Sequence, residues 1–373
     1  MKTSIEHGSV YRGTFVRSNA ELDRWYADAM EADVLEPELP IVDAHHHLFG
    51  TAQDRLFYRS SDLHRDLDGG HRVIGTVYCE AYRSGWHREG PEALRSVGEV
   101  EALARLTATP LQLTQGACQV AAGVVSHVDM TLGNATKPVL EAHISAAKGR
   151  LRGIRHRTAT VGGGVGATIK DQPKPGLLRD ADFRRGVEQV HALGLSLDVW
   201  VYHSQLPEVV ELADEMPDTA IVINHIGAPI GVAEYREVHG EVLQFWKRQL
   251  HELSKRPNVA LKLGGLGMPV FGFGFENAER PATALQLASA WRPYIETCLH
   301  AFGSHRCLFE SNYPVDRQTC SYTELWNAFK SCTRDLSNAE RYDLFYRTAC
   351  RVYRLPELRQ LGDSLCGWPE IAA

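Results

Sequence analysis

Ile41-Val42-Asp43-Ala44-His45-His46-His47 is a short apolar run that ends in three histidines. Residues two apart on a strand share a face, so His45 and His47 project side by side while His46 points away. Paired imidazoles suit a divalent metal or paired hydrogen bonds to a substrate. An arbitrary His-x-His is more often a solvated strand end, and the motif draws its weight here from what surrounds it.

Working outward, seven further β-rich runs follow: 72–81, 120–130, 151–158, 195–203, 220–227, 259–267 and 306–314. Between and after them lie stretches with apolar residues at three and four spacing, such as 92–107, 137–148, 183–193, 206–215, 237–254, 284–302 and 322–329. This alternation gives parallel βαβ units, and eight of them point to a closed (β/α)8 barrel of the α/β class. An open doubly wound sheet has the same alternation, but no G-x-G-x-x-G follows the first run. The barrel is expected over residues 41–355. Residues 1–40 read as a polar, acidic extension covering the barrel floor or a partner subunit, and residues 356–373 as a C-terminal tail.

A chain of 373 residues can bury a barrel core as one domain. A net charge of -6 argues against nucleic acid and anionic lipid and favours a small-molecule partner. No run of eighteen apolar residues and no signal-peptide core are seen, so no membrane contact and a cytoplasmic location are expected. The eight cysteines lack C-x-x-C spacing and read as reduced packing residues. A homo-oligomer stays open.

Polar residues segregate along the runs. Thr76, Tyr78 and Glu80 share a face in the second, Arg155 and Arg157 in the fourth, Asp198, Trp200 and Tyr202 in the fifth. Lys262 stands between apolar neighbours in the seventh, and Glu310 and Asn312 lie opposite Cys307, Phe309 and Ser311 in the eighth. Ionisable groups on inward faces are costly unless paired or bound to something. Their clustering toward the C-terminal ends of the runs, where barrel enzymes hold their sites, points to an enzyme.

These motifs together resemble the amidohydrolase superfamily, in its lactonase-like branch of pyrone dicarboxylate and sugar-acid lactonases. The residues that carry the resemblance are Val42 to His47, Arg152-Gly153-Ile154-Arg155-His156, Asn224-His225-Ile226-Gly227-Ala228-Pro229, Val259 to Leu266, and Phe309-Glu310-Ser311-Asn312-Tyr313-Pro314. The resemblance spans roughly residues 40 to 355. It implies that His45, His47 and His225 occupy metal-ligand and polarising positions and that Arg155 holds a substrate carboxylate. The family's eighth strand supplies an aspartate that binds metal and activates water; here that position is Asn312. A neutral amide can neither act as general base nor offset a dication. Three explanations stay open: Glu310 supplies the carboxylate, Glu80 does, or the site works without a tightly bound zinc or manganese ion.

The expected activity is a hydrolase opening a carboxylate-bearing lactone or related cyclic ester from sugar-acid or aromatic catabolism. Glu80, His225, Glu310 and Asn312 are the catalytic candidates, and Arg155, Tyr202, His203 and Lys262 the substrate-binding ones. A metal-dependent decarboxylase using His45, His47 and His203 is the first rival, and a non-catalytic binder of small molecules the second. For Lys262 a structural balance of the glutamates is at least as good a reading. His127 and Asp129 share a face in the third run and rank behind the others. The glycine-rich stretch 264–269 and Phe271-Gly272-Phe273-Gly274-Phe275 read as an aromatic loop over the mouth.

Overall fold

Short Val-, Ile- and Leu-rich runs build the sheet of the computed structural model, which describes residues 11–27, 29 and 32–367. The described residues form β1 (Ile41–His46), β2 (Val73–Cys79), β3 (Leu111–Leu113), β4 (Gly116–Ser126), β5 (Leu151–Arg155), β6 (Ser196–Val199), β7 (Ile221–Ile223), β8 (Val259–Leu263) and β9 (Cys307–Phe309). The order is β1-β2-β4-β5-β6-β7-β8-β9, all parallel, with β3 folded back antiparallel on β4. Closure comes just beyond β9. There His46 bridges Tyr313, and the Asn312 and His47 N–H groups donate to the His45 and Tyr313 carbonyls at 2.9 and 2.8 Å. The chain is a (β/α)8 barrel.

Amphipathic helices such as Val97–Leu106, Ala181–Ala192, Leu206–Glu215 and Tyr322–Cys332 cover the outside. Their first turns are held where the sequence supplies a cap: Asp180 accepts the Phe183 N–H, and Ser321 that of Glu324. Outward strand residues bury against them, as where Phe309 stacks on Phe329 with ring centroids 4.4 Å apart.

The barrel interior is a second apolar layer. Val42, Ala44, Val77, Cys79, Ala260 and Leu308 meet Tyr346, Tyr353 and Leu358, which plug the floor from the C-terminal segments. Leu358 belongs to the helix Pro356–Leu365, so the expected tail contains a helix that closes the barrel. Gly75 is required opposite it, because a Cβ there would lie 2.2 Å from Leu358 Cδ1.

Two expectations about faces change. On β2 the inward residues are Val77 and Cys79; Tyr78 points to the helices, where its hydroxyl donates to Glu99 at 2.6 Å, and Thr76 Oγ1 meets His46 Nε2 at 2.8 Å. On β1, Asp43 pairs with Thr76 and His46 with Tyr78, three residues against two. This bulge lets Ala44 and His45 follow one another on the inner side, while Asp43 turns outward to Ser311 and Tyr322.

Of the expected N-terminal extension, residues 1–10, 28, 30 and 31 lie outside the described residues, and the described part differs in placement. Tyr11 to Phe15 border the barrel mouth rather than the floor. The segment is fastened by Arg17 and Gln318, whose reciprocal bonds measure 2.8 and 3.0 Å, and by Asn19 with Phe57 at 3.0 and 2.9 Å. The expected aromatic loop over the mouth is packed elsewhere: Phe271 is buried, and Phe273 packs between Phe271 and Tyr294. Among the described residues no helix is long and apolar enough to cross a membrane, and all eight cysteines are unpaired.

Candidate active site

At the C-terminal ends of the strands the backbone leaves β geometry and redirects side chains. Alternation along β7 would send His225 outward with Ile223, but His225 and Ile226 have φ of 54° and 53°, and the ring turns into the mouth. Asn312 has φ of 53° after β9. Gly264 and Gly265 allow the close packing: a Cβ on the first would meet Glu310 at 2.3 Å, and one on the second the His225 ring at 2.5 Å. The glycine-rich stretch is a cradle for these two side chains.

A buried polar layer lies below the mouth. Lys262 Nζ is 2.8 Å from Asp198 Oδ2, whose carboxylate also receives the Tyr353 hydroxyl at 2.9 Å and Asn224 Nδ2 at 2.8 Å. Lys262 donates upward to His45 Nδ1 at 3.2 Å. His47 Nδ1 faces the Cys79 and Glu80 carbonyls at 3.0 and 3.1 Å, so that nitrogen carries the proton. The Nε2 atoms of His45 and His47 are 3.1 Å apart. Lys262 was expected to bind substrate; it is fully buried beneath the histidines and balances Asp198.

Glu310 joins two histidines. Its Oε1 accepts from His225 Nδ1 at 2.7 Å and from the His225 backbone N–H at 3.1 Å. Its Oε2 lies 2.9 Å from His45 Nδ1 without the alignment of a hydrogen bond, and that buried oxygen is otherwise unpartnered. Arg155 is clamped by Glu80: Nε meets Glu80 Oε1 at 2.8 Å and Nη2 the Glu80 carbonyl at 2.9 Å, while Nη1 reaches His45 Nε2 and Asn224 Oδ1 at 3.2 and 3.3 Å. Glu80 Oε2 is buried without a partner.

Burial sets the protonation pattern. It holds His45 and His47 well below the ordinary imidazole range, and it lowers His225 against the opposing pull of Glu310. The rings are therefore neutral near pH 7 and keep lone pairs. Burial raises the Glu80 carboxyl, with Arg155 opposing.

These groups floor a cavity of about 630 Å³. His47, Glu80, Arg155, Trp200, His225 and Asn312 line it, with Tyr202, Arg12, Arg157 and Lys170 higher up. Trp200, whose ring centroid is 4.7 Å from that of His225, was not singled out from sequence although its shared face with Asp198 was visible. The contribution of residues 11–15 had no periodic signal at all.

Three expectations need correction. His203 lies outside the site, its Nδ1 accepting the Ile230 N–H at 3.4 Å and its ring packed on Tyr235 and Phe245, because the chain has left β6 before it. The decarboxylase reading that drew on His203 loses that ligand. The Asn312 amide turns aside to donate to Asp316 Oδ1 at 2.9 Å. The metal set was expected to be His45, His47 and His225; the ligand atoms that converge within 4.8 Å belong to His45, His225 and Glu310. The orphaned Glu310 oxygen beside two neutral imidazoles fits a divalent cation, and Asp198 offsets the Lys262 charge next to it. His127 and Asp129 line a separate neighbouring cavity.

Comparison with known proteins agrees with this geometry. The family model described as amidohydrolase matches residues 42–355. The chain is 32% identical over 233 residues to the uncharacterised protein y4mH of Sinorhizobium fredii, covering 62% of this chain and 70% of that one. It is 30% identical over 223 residues to an L-fucono-1,5-lactonase of Burkholderia multivorans, covering 59% and 69%. A crystal structure of a Burkholderia multivorans amidohydrolase with bound zinc superposes with a TM-score of 0.63 at 25% identity, over 85% of this chain and 99% of that one. With the motif-bearing strands, their closed order and the His45–Glu310–His225 cluster all inside the matched span, this chain belongs to the amidohydrolase family.

Proposed function

We propose that this enzyme hydrolyses a carboxylate-bearing lactone. The observation that carries the reading is the Glu310–His225 pair, 2.7 Å apart, in which buried Glu310 backs the His225 ring that lines a cavity together with Arg155. The similarity to L-fucono-1,5-lactonase supports a 1,5-lactone as the reacting ring; the free carboxylate, which a simple aldonolactone lacks, is inferred from Arg155 alone.

His225 donates through Nδ1 to Glu310, which leaves the lone pair of Nε2 to take a proton from water as it attacks the lactone carbonyl. Glu310 stabilises the imidazolium that forms. The proton then passes from His225 to the ring oxygen as the C–O bond breaks. Arg155, oriented by Glu80, presents charge to the substrate carboxylate. His45, His225 and Glu310 could instead hold a divalent ion; with its one lone pair on the metal, His225 would no longer be the base, and the ion would supply Lewis-acid polarisation of the carbonyl and activation of the water in its place. Lactones need less activation than amides, so a neutral imidazole suits the task.

A panel of 1,4- and 1,5-lactones of sugar acids and of pyrone carboxylates, followed by proton release with and without added zinc or manganese, tests the reading. Ring opening of at least one carboxylate-bearing lactone is expected. No turnover across the panel, or carbon dioxide release from a carboxylated ring, would overturn it.

A further inference from the structure

A second cavity of about 810 Å³ opens beside the mouth. Tyr82 and Arg157 line both cavities and form the wall between them. The Arg157 guanidinium lies 4.7 Å from the Tyr82 ring centroid, so the wall is a stacked pair of side chains rather than backbone. The loop carrying Tyr82 is fastened from behind by Glu99, which accepts from the Ala81 N–H at 2.6 Å and from Trp86 Nε1 at 3.2 Å. That anchorage fixes the Trp86 ring over His127, with centroids 5.2 Å apart. The result is a built aromatic platform.

Among the described residues, four arginines, Arg83, Arg88, Arg95 and Arg157, and three carboxylates, Glu92, Asp129 and Asp171, line this cavity. Arg83 is paired with Asp171 at 3.5 Å, and Asp129 lies 3.7 Å from His156. Arg88 and Arg95 also line the cavity, and among the described residues neither has an acidic partner. Arg95 Nε is buried without an acceptor, and Nδ1 of His127, a residue only 6% exposed, is buried without a partner. A buried N–H is normally satisfied, so Arg95 lacks an acceptor that a ligand can bring. An aromatic face flanked by free guanidinium groups suits a ring that carries an anionic group.

We propose that the second cavity binds the distal part of an elongated substrate: a second ring bearing a carboxylate, joined to the lactone ring that sits over His225. The inference rests on the lactonase reading for the reacting end, and on the cavity alone for the distal end. The Arg88 and Arg95 guanidinium groups hold the distal carboxylate, and Trp86 underlies its ring. The cavity sets substrate length and charge without touching the reacting bond.

The test compares three substrates: the best short sugar-acid lactone from the panel, the same lactone glycosylated with a neutral hexose, and the same lactone glycosylated with a hexuronic acid. The hexuronosyl lactone is expected to have a kcat/KM at least tenfold above the other two. Arg88→Glu and Arg95→Ala are each expected to remove fivefold or more of that advantage and to leave the short lactone within twofold. Arg88 is exposed, so Arg88→Glu keeps the test valid if Arg95→Ala folds poorly. Equal rates for the three substrates, or equal losses on all three in the variants, overturn the proposal. If no lactone of any length is opened, the lactonase reading fails, and titration with the open-chain hexuronosyl acid decides the cavity. Binding at least tenfold tighter than the neutral-hexosyl acid, lost in Arg88→Glu, supports it; equal binding of the two acids overturns it.

Discussion

Glu310 Oε1 accepts both the ring Nδ1–H and the backbone N–H of His225, at 2.7 and 3.1 Å, so one carboxylate oxygen fixes the tautomer and the orientation of that imidazole. Glu310→Gln keeps the size of the side chain and removes the charge that stabilises the imidazolium. A fall in kcat of about 10²- to 10³-fold with little change in KM is expected, a usual size for general-base catalysis. Steady-state kinetics on the best lactone checks it; an unchanged kcat would remove this pair from the chemistry.

Arg155→Lys replaces a planar fork with a point charge that cannot hold Glu80 through Nε and Nη2 together. Losing one charge-assisted bond to substrate costs about 2 kcal/mol, roughly thirtyfold in KM. The increase is expected for carboxylate-bearing lactones and not for neutral analogues. A matched pair of substrates separates anchoring from general damage to the site.

Metal content distinguishes two residues two positions apart. Glu310 contributes to the converging ligand atoms, whereas Asn312 spends its amide on Asp316. Equilibrium dialysis against zinc is expected to show a large loss of bound metal in Glu310→Ala and no loss in Asn312→Ala. Loss in the second variant alone would return the ligand role to the eighth barrel strand's terminal position.

Lys262 and Asp198 are both fully buried, 2.8 Å apart. Removing one partner strands the other, at a cost of about 3 to 5 kcal/mol for Lys262→Met. Combining it with Asp198→Asn is expected to recover part of the loss. Chemical denaturation of the two single variants and the double variant measures the coupling.

His143, on the helix Thr136–Ala146 and bonded through Nε2 to Ser96 Oγ at 3.0 Å, is held at about 3 chiefly by burial. The unfolded chain binds a proton below about 6.5 and the folded chain does not, so this residue's contribution is present above 6.5 and is lost as pH falls toward 3. At pH 5 the difference is about 2 kcal/mol. His143→Gln is expected to show a shallower decline of Tm between pH 7.5 and 5 than the parent; identical slopes would contradict the assignment.

The ring of eight parallel strands was legible because each strand leaves a local mark: a short β-branched run with turn signals after it. The inward placement of Asp198, Lys262 and Arg155 was legible for the same reason, since alternation holds as long as the strand does, and it carries one residue past β9 to Glu310. It failed where the strand did not hold. The bulge between Asp43 and His46 and the left-handed turns at His225 and Asn312 break the two-residue period at the strand ends that carry the chemistry. His203 was kept as a candidate by counting past the end of β6, which stops at Val199.

By itself the sequence determined the barrel, the family resemblance and the identity of the polar residues near its mouth, because hydrophobic period and motif order are properties of neighbouring positions. Only the tertiary structure decided which carboxylate meets which histidine. Glu310 and His225 are separated by 85 residues, Arg155 and Glu80 by 75, and the N-terminal residues reach the mouth across 301 positions through Arg17 and Gln318. Such pairings are fixed by barrel closure and by the space that Gly264 and Gly265 leave open, which no local pattern encodes.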